Sequence, residues 1–330
     1  MKKNLTIFAL FTSCLTASWY GPCFSEIEPS LAEVIENAKP AIVEIMAISE
    51  ENEESITYGI GTGFLISNDG YLLTADHVIE EAISIAIFFD QLNEAKEAKI
   101  IGRYPELDLA LLKIPGYDYP YLTFAEKNSI RPGDQCIGTG FPFTHTFFPS
   151  VGHISVTHWN FPTNDYADYA LVSTEFSRKG FSGGPLLNTK GEVLGLQQSC
   201  GIDEIGNFQQ AYPGFLVERI AKALQFGNPI KDDFLKATLL KMPPTKKHST
   251  YKNLETKWLL EIAKIETDSP LAKSLRAGDS IVCINGKSFS SLPRMFLALK
   301  KLKRHTHIEL TILRENEPNL LNLSITPLKK

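Results

Sequence analysis

From Thr57 to Gln198 the chain alternates short β-rich runs with turn residues, and no long helical pattern interrupts them. Such runs must bury a face against one another, so antiparallel barrels or a sandwich are what this stretch can build. The full 330 residues suggest two domains, at about 100–200 residues for each. A hydrophobic share of 43% against 22% charged supplies the apolar material for a core. Net charge is −5 with no long basic run, which gives no support for a nucleic-acid or anionic-membrane surface.

Three segments inside this β-rich region carry chemistry. Ser177-Arg178-Lys179-Gly180-Phe181-Ser182-Gly183-Gly184-Pro185-Leu186-Leu187 holds a serine among glycines, which suits a nucleophile on a tight turn whose backbone crowds a reacting carbonyl. The amides of Gly180 and Ser182 can then face one oxyanion; taken alone, the segment also reads as a glycine-rich turn before a strand. Gly61 to Val78 reads as two strands joined by Asn68-Asp69-Gly70, with His77 just past the second. In Glu106 to Ile114 a single carboxylate, Asp108, opens an apolar strand. Singly, His77 is also readable as a loop histidine and Asp108 as a strand-edge charge. Together they run in the order His, Asp, Ser, which is the trypsin-like order and not that of other serine-protease folds.

On the segments T-x-x-H-V, D-L-A-L-L-K-I and G-x-S-G-G-P-L the chain resembles the HtrA/Deg family of trypsin-like serine endopeptidases. The resemblance implies a mainly β fold: two antiparallel barrels with a catalytic cleft between them over about residues 29–226, then a small α+β PDZ-like domain. Ser182 is the expected nucleophile, His77 its general base, and Asp108 the group that orients the imidazole. Asp76 is the rival carboxylate, expected to point away from the neighbouring ring. Phe176, six before the serine, would lie at the base of the primary specificity pocket, where no carboxylate stands to pair a basic side chain. Small or medium aliphatic residues before the cut are therefore expected. Leu196 belongs to the pocket wall, and Gln198, Ser199 and Cys200 would pair with substrate main chain as an added strand. Phe181 departs from the family, which mostly has Asn there, and from digestive relatives, which have Asp. The implied partners are unfolded or extended polypeptides, with a trimer-based homo-oligomer, no cofactor and protein quality control as the role. A chaperone or PDZ scaffold with little proteolysis is the alternative.

Residues 1–25 read as an export signal: Lys2 and Lys3, an apolar stretch from Leu5 to about Leu15, then small residues at Cys23 and Ser25. A periplasmic or extracytoplasmic location follows; an uncut anchor and a lipobox-like Phe11-Thr12-Ser13-Cys14 are the alternatives. The protease domain is expected over 26–226, opening on a helix capped by Ser30 and ended by Pro40, then a strand from Ala41 to Ala47 and an acidic turn from Ser49 to Glu54. Cys136, Cys200 and Cys283 are expected as separate thiols, with a Cys136–Cys200 pair as the other reading. His145, His153 and His158 match no zinc spacing, and no metal is expected. Residues 227–250 read as a Pro-containing linker and 251–330 as the PDZ-like domain, with an Asn285-Gly286 turn and a second helix at Pro293–Lys303. Its candidate carboxylate nest, Trp258 to Ile262, lacks the usual glycine and carries Glu261, so a peptide ligand there is an open expectation.

Overall fold

The computed structural model describes residues 29–52, 55–89, 95–143, 145–159, 170–176, 178–203, 206–232, 235–243, 258–267, 269, 271–289, 298, 307–314, 317 and 319–325. The signal segment and most of the helix expected at Pro293–Lys303 lie outside the described residues. Ser30 caps α1 (Leu31–Ala38) with a capping box: its Oγ accepts from the Glu33 amide while the Glu33 carboxylate accepts from the Ser30 amide. Pro40 then turns the chain through a 3-10 turn, Lys39–Ala41.

The first sheet holds β1 (Ile42–Asn52), β2 (Ser55–Leu65), β3 (Tyr71–Thr74), β4 (Ser84–Phe89), β5 (Lys96–Glu97), β6 (Lys99–Tyr104) and β7 (Leu109–Lys113). Their order, β5-β4-β1-β2-β3-β7-β6, gives a curled half-barrel rather than a closed one. The acidic stretch after Ala47, expected as a turn, instead continues β1, pairing Ser49 with Thr57 and Glu50 with Ile56. Pairing uses main-chain groups, so the ladder runs on where the side chains become polar.

The second sheet closes. It comprises β8 (Gln135–Phe143), β9 (Thr146–Trp159), β10 (Ala170–Ser173), β11 (Pro185–Leu187), β12 (Val193–Asp203) and β13 (Gly206–Pro213), in the cyclic order β10-β13-β12-β11-β8-β9. α2 (Gly214–Leu224) follows and buries Leu216, Val217, Ile220, Ala221, Ala223 and Leu224. It crosses β6 so closely that a Cβ on Gly102 would stand 3.0 Å from Leu224 Cβ.

The third sheet contains β14 (Ile230–Asp232), β15 (Ala237–Met242), β16 (Leu259–Ile265), β17 (Ser280–Ile284), β18 (Lys287–Ser288), β19 (Ile308–Leu313) and β20 (Leu321–Ile325). The first half of 227–250, the segment read as a partly ordered linker, supplies two paired strands. Prolines at 229, 243 and 244 flank these two strands. Ala237 and Leu239 turn into the sheet's own core with Leu260, Ile262 and Ile281, whereas Leu240 and Met242 join the core under α2. The proposed nest also fares differently: β16 is interior, with Leu260 paired to Lys241 on one side and Ile281 on the other. Its amides there are committed to the ladder and unavailable to a carboxylate. Asn285 and Gly286, at φ 49° and 71°, make the expected tight turn.

Candidate active site

Each site residue sits where a strand gives way to a turn. His77 lies in the 3-10 turn Asp76–Val78 after β3. Asp108 follows the 3-10 turn Pro105–Leu107 in a left-handed conformation, φ 46° and ψ 50°, before β7. That backbone aims its carboxylate at the histidine: Oδ2 is 2.6 Å from His77 Nδ1, and Oδ1 accepts the His77 amide at 2.7 Å. The hydrogen bond to Asp108 raises the His77 pKa above the ordinary imidazole value, against the opposing effect of burial. Asp76 turns the other way, as its adjacency suggests. Its carboxylate is engaged by Arg103 through Nε at 2.5 Å and Nη2 at 2.8 Å.

The serine turn comes from the closed barrel yet docks on the half-barrel. Thr62 on β2 donates its amide to the Ser182 carbonyl at 2.9 Å and its hydroxyl to the Gly180 carbonyl at 2.6 Å. The same hydroxyl accepts the Phe141 amide at 3.0 Å. A Cβ on Gly183, φ 83°, would stand 2.4 Å from the Thr62 carbonyl and 2.6 Å from the Ala75 amide nitrogen. Only glycine fits there, and the approach sets Ser182 beside the chain that leads into His77. Gly180 has φ 101°, and a Cβ on it would meet the Phe141 carbonyl at 2.4 Å. Among the described residues, no protein acceptor takes the amide of Gly180 or of Ser182.

Around the serine, Phe181 is fully buried, its ring 6.1 Å from that of Phe148. Phe148 also meets Phe176 at 6.0 Å, and Arg178 lies over the Phe176 ring at 5.0 Å. Phe176 is 45% exposed. Leu196 is buried and pairs with Pro185. Gln198 donates from Nε2 to the Asp108 carbonyl at 3.4 Å. Ser199 and Cys200 lie in β12, where the register shifts between Gln197–Ala211 and Cys200–Gln209; their side chains are outside the described set. Cys136 is free and so is not bonded to Cys200. His145 pairs with the buried Glu44 through Nδ1 at 2.8 Å. Among the described residues, no cluster of histidine, cysteine and carboxylate side chains could hold a metal.

The Trypsin-like peptidase domain model matches residues 61–196 and the PDZ domain model residues 248–325. The chain thus joins a trypsin-like peptidase domain to one PDZ domain. Two similar proteins are each named "Probable periplasmic serine endoprotease DegP-like". That of Chlamydia trachomatis serovar D is 32% identical over 81% of this chain and 54% of its own length. That of Pseudomonas fluorescens is 30% identical over 84% of this chain and 58% of its own. The chain thus spans little more than half the length of these curated relatives. Among solved structures, the HtrA-type protease AlgW with a tripeptide aligns over 90% of this chain and 96% of its own, with TM-score 0.57 and 25% identity.

Thr62 and Arg103 were not singled out in the sequence as site residues. Thr62 had one legible signal, its place between the glycines of Gly61-Thr62-Gly63. The bond from Arg103 to Asp76 is a contact between separate segments and has no local signature.

Proposed function

We propose that the chain is a serine endopeptidase that cleaves extended or unfolded polypeptide through an acyl-enzyme on Ser182. The observation that carries this reading is the doubly bonded His77–Asp108 pair beside the strand end on which the Ser182 turn docks. His77 takes the serine proton through Nε2 as Oγ attacks the peptide carbonyl, then returns it to the leaving amine. Asp108, bonded at Nδ1, leaves Nε2 as the ring nitrogen free to take the serine proton and stabilises the imidazolium. The amides of Gly180 and Ser182 stabilise the oxyanion. Water then repeats the sequence on the ester.

The substrate class follows from β12. Past Gln197, the edge of this strand facing the serine turn pairs with no strand among the described residues. A peptide can bind there only in extended form, contributing main-chain hydrogen bonds at Gln198 to Cys200. Phe176 and Leu196 supply the apolar contribution to side-chain choice. The peptidase unit is assigned to 26–226, and export to the periplasm through residues 1–25 accords with the names of the relatives. A trimer-based assembly and peptide binding by the PDZ domain complete the reading.

A fluorophosphonate probe and casein digestion test it together. Covalent labelling that disappears in Ser182→Ala, with turnover reduced about a millionfold, is the expected result. A protein that suppresses client aggregation but takes no label would instead be a binding protein.

A further inference from the structure

Inside the closed barrel, among the described residues, four buried side-chain oxygens lack a hydrogen-bond partner: Ser173 Oγ, Glu175 Oε1, Gln197 Oε1 and Gln209 Oε1. Their residues are between 0% and 3% exposed. Orphaned polar groups at this depth are costly, so a cluster of them calls for a reason.

Glu175 turns inward where β9 makes room for its backbone. A Cβ on Gly152 would stand 2.3 Å from the Glu175 amide nitrogen. Its side chain then passes over Gly138, where a Cβ would stand 2.7 Å from Glu175 Cγ, 3.3 Å from its Oε1 and 2.9 Å from Gln197 Oε1. The two orphaned oxygens thus border one gap. The amide of Gln197 cannot reverse to relieve this. Its Nε2 already donates to the carbonyls of Thr139 at 2.8 Å and Pro185 at 3.1 Å, and reversal would set oxygen against both. A proton on the Glu175 carboxyl, donated across that gap to Gln197 Oε1, would satisfy both.

Gln197 also holds the serine turn by its backbone. Its carbonyl accepts the Gly183 amide, and its amide donates to the Gly184 carbonyl, each at 2.8 Å. We propose that Glu175 is a positioning residue for Ser182: its protonated carboxyl donates to Gln197 Oε1 and so fixes the side chain and strand that clamp the turn. This rests on Ser182 being the nucleophile, as argued above.

The surroundings favour the neutral acid. Burial pushes the Glu175 carboxyl above the ordinary carboxylate range, outweighing the polar contacts with Ser173, its own amide and Cys136 that pull the other way; burial also raises the Cys136 thiol, whose Sγ is 3.6 Å from Glu175 Oε2. The facing elements bring Cys136 from β8, Gly152 from β9, Ser173 from β10 and Gln197 from β12. None is a cation, and the His153 side chain on β9 is exposed.

Full-length Glu175→Gln keeps a donor that cannot ionise, whereas Glu175→Ala removes it. Peptide turnover against pH is the measurement, with fluorophosphonate labelling of the wild type as the reference for the parent reading. The expected result is that E175Q stays within about threefold of wild type at neutral pH and lacks the alkaline decline that wild type shows as its carboxyl ionises. E175A loses about 10–100-fold in kcat with KM little changed. If wild type takes no label at Ser182, the endopeptidase reading fails. If it labels, yet E175Q keeps the wild-type alkaline decline or E175A turns over like wild type, only this proposal is overturned. Should E175A not fold, the paired pH profiles of wild type and E175Q decide alone.

Discussion

Asp108 grips His77 twice, at the ring nitrogen Nδ1 and at the backbone amide, from a left-handed conformation with φ 46°. The amide bond fixes where the carboxylate stands, and the ring bond fixes which way the imidazole faces. Left-handed backbone is unfavourable for a side-chain-bearing residue, and it persists here because β7 and the preceding 3-10 turn hold both sides of Asp108.

Asp108→Asn keeps the shape but removes the charge and, with a side-chain NH2 toward Nδ1, favours the wrong tautomer. Turnover is expected to fall by about 10⁴-fold, while circular dichroism stays that of the wild type. Loss of less than tenfold would reassign the orienting group.

The pH dependence follows from the same bond. His77 must be neutral to accept a proton, and its pKa is raised chiefly by the hydrogen bond to Asp108. The acid limb of kcat/KM should therefore lie above the ordinary imidazole value, and Asp108→Asn should shift it to lower pH in whatever activity remains. For folding the sign is that of a raised base. The contribution of the pair is fully present below the unfolded imidazole pKa and is lost as pH rises through the folded one. Titration of the His77 ring by NMR checks both statements.

Thr62→Val tests the docking of the serine turn on the half-barrel. It keeps the volume but strands the Gly180 carbonyl and the Phe141 amide, both now bonded to the Thr62 hydroxyl. A loss of about 1–3 kcal/mol in denaturant unfolding is expected, with slower labelling of Ser182. A variant that is less stable but labels at the wild-type rate would show that the turn is held without Thr62.

Gly183→Ala combines a positive φ with a Cβ 2.4 Å from backbone and side-chain oxygens of Thr62 and Thr74. Several kcal/mol of destabilisation or failure to fold is expected, beyond the roughly 1 kcal/mol of a plain Gly-to-Ala change. Gly133→Ala is the control: φ is again positive, at 92°, but nothing lies within 4 Å. Melting temperatures of the two variants separate crowding from backbone strain.

In the PDZ domain, Arg314 engages the buried Asp279 through Nε at 2.8 Å and Nη2 at 2.7 Å. Arg314→Ala leaves that carboxylate unpaired, at an expected cost of about 3–5 kcal/mol. Hydrogen exchange localised to β16, β17 and β19 reports it; protection equal to wild type would contradict the assignment.

Composition, turn residues and three short motifs were enough to propose the chemistry, because His77, Asp108 and Ser182 each sit in a local pattern that their neighbours impose. The β-rich character and the Asn68-Asp69-Gly70 and Asn285-Gly286 turns were legible for the same reason, since hairpin geometry is a matter of adjacent residues. The strands at 230–232 and 237–242 were not, because prolines flank them and their apolar residues serve two different cores. Asp76 bonded to Arg103, Thr62 bridging two barrels, and Glu175 facing Gln197 were decided only in three dimensions. Each joins groups far apart in the chain, and whether a buried polar atom finds a partner depends on how strands register and pack, which no local spacing encodes.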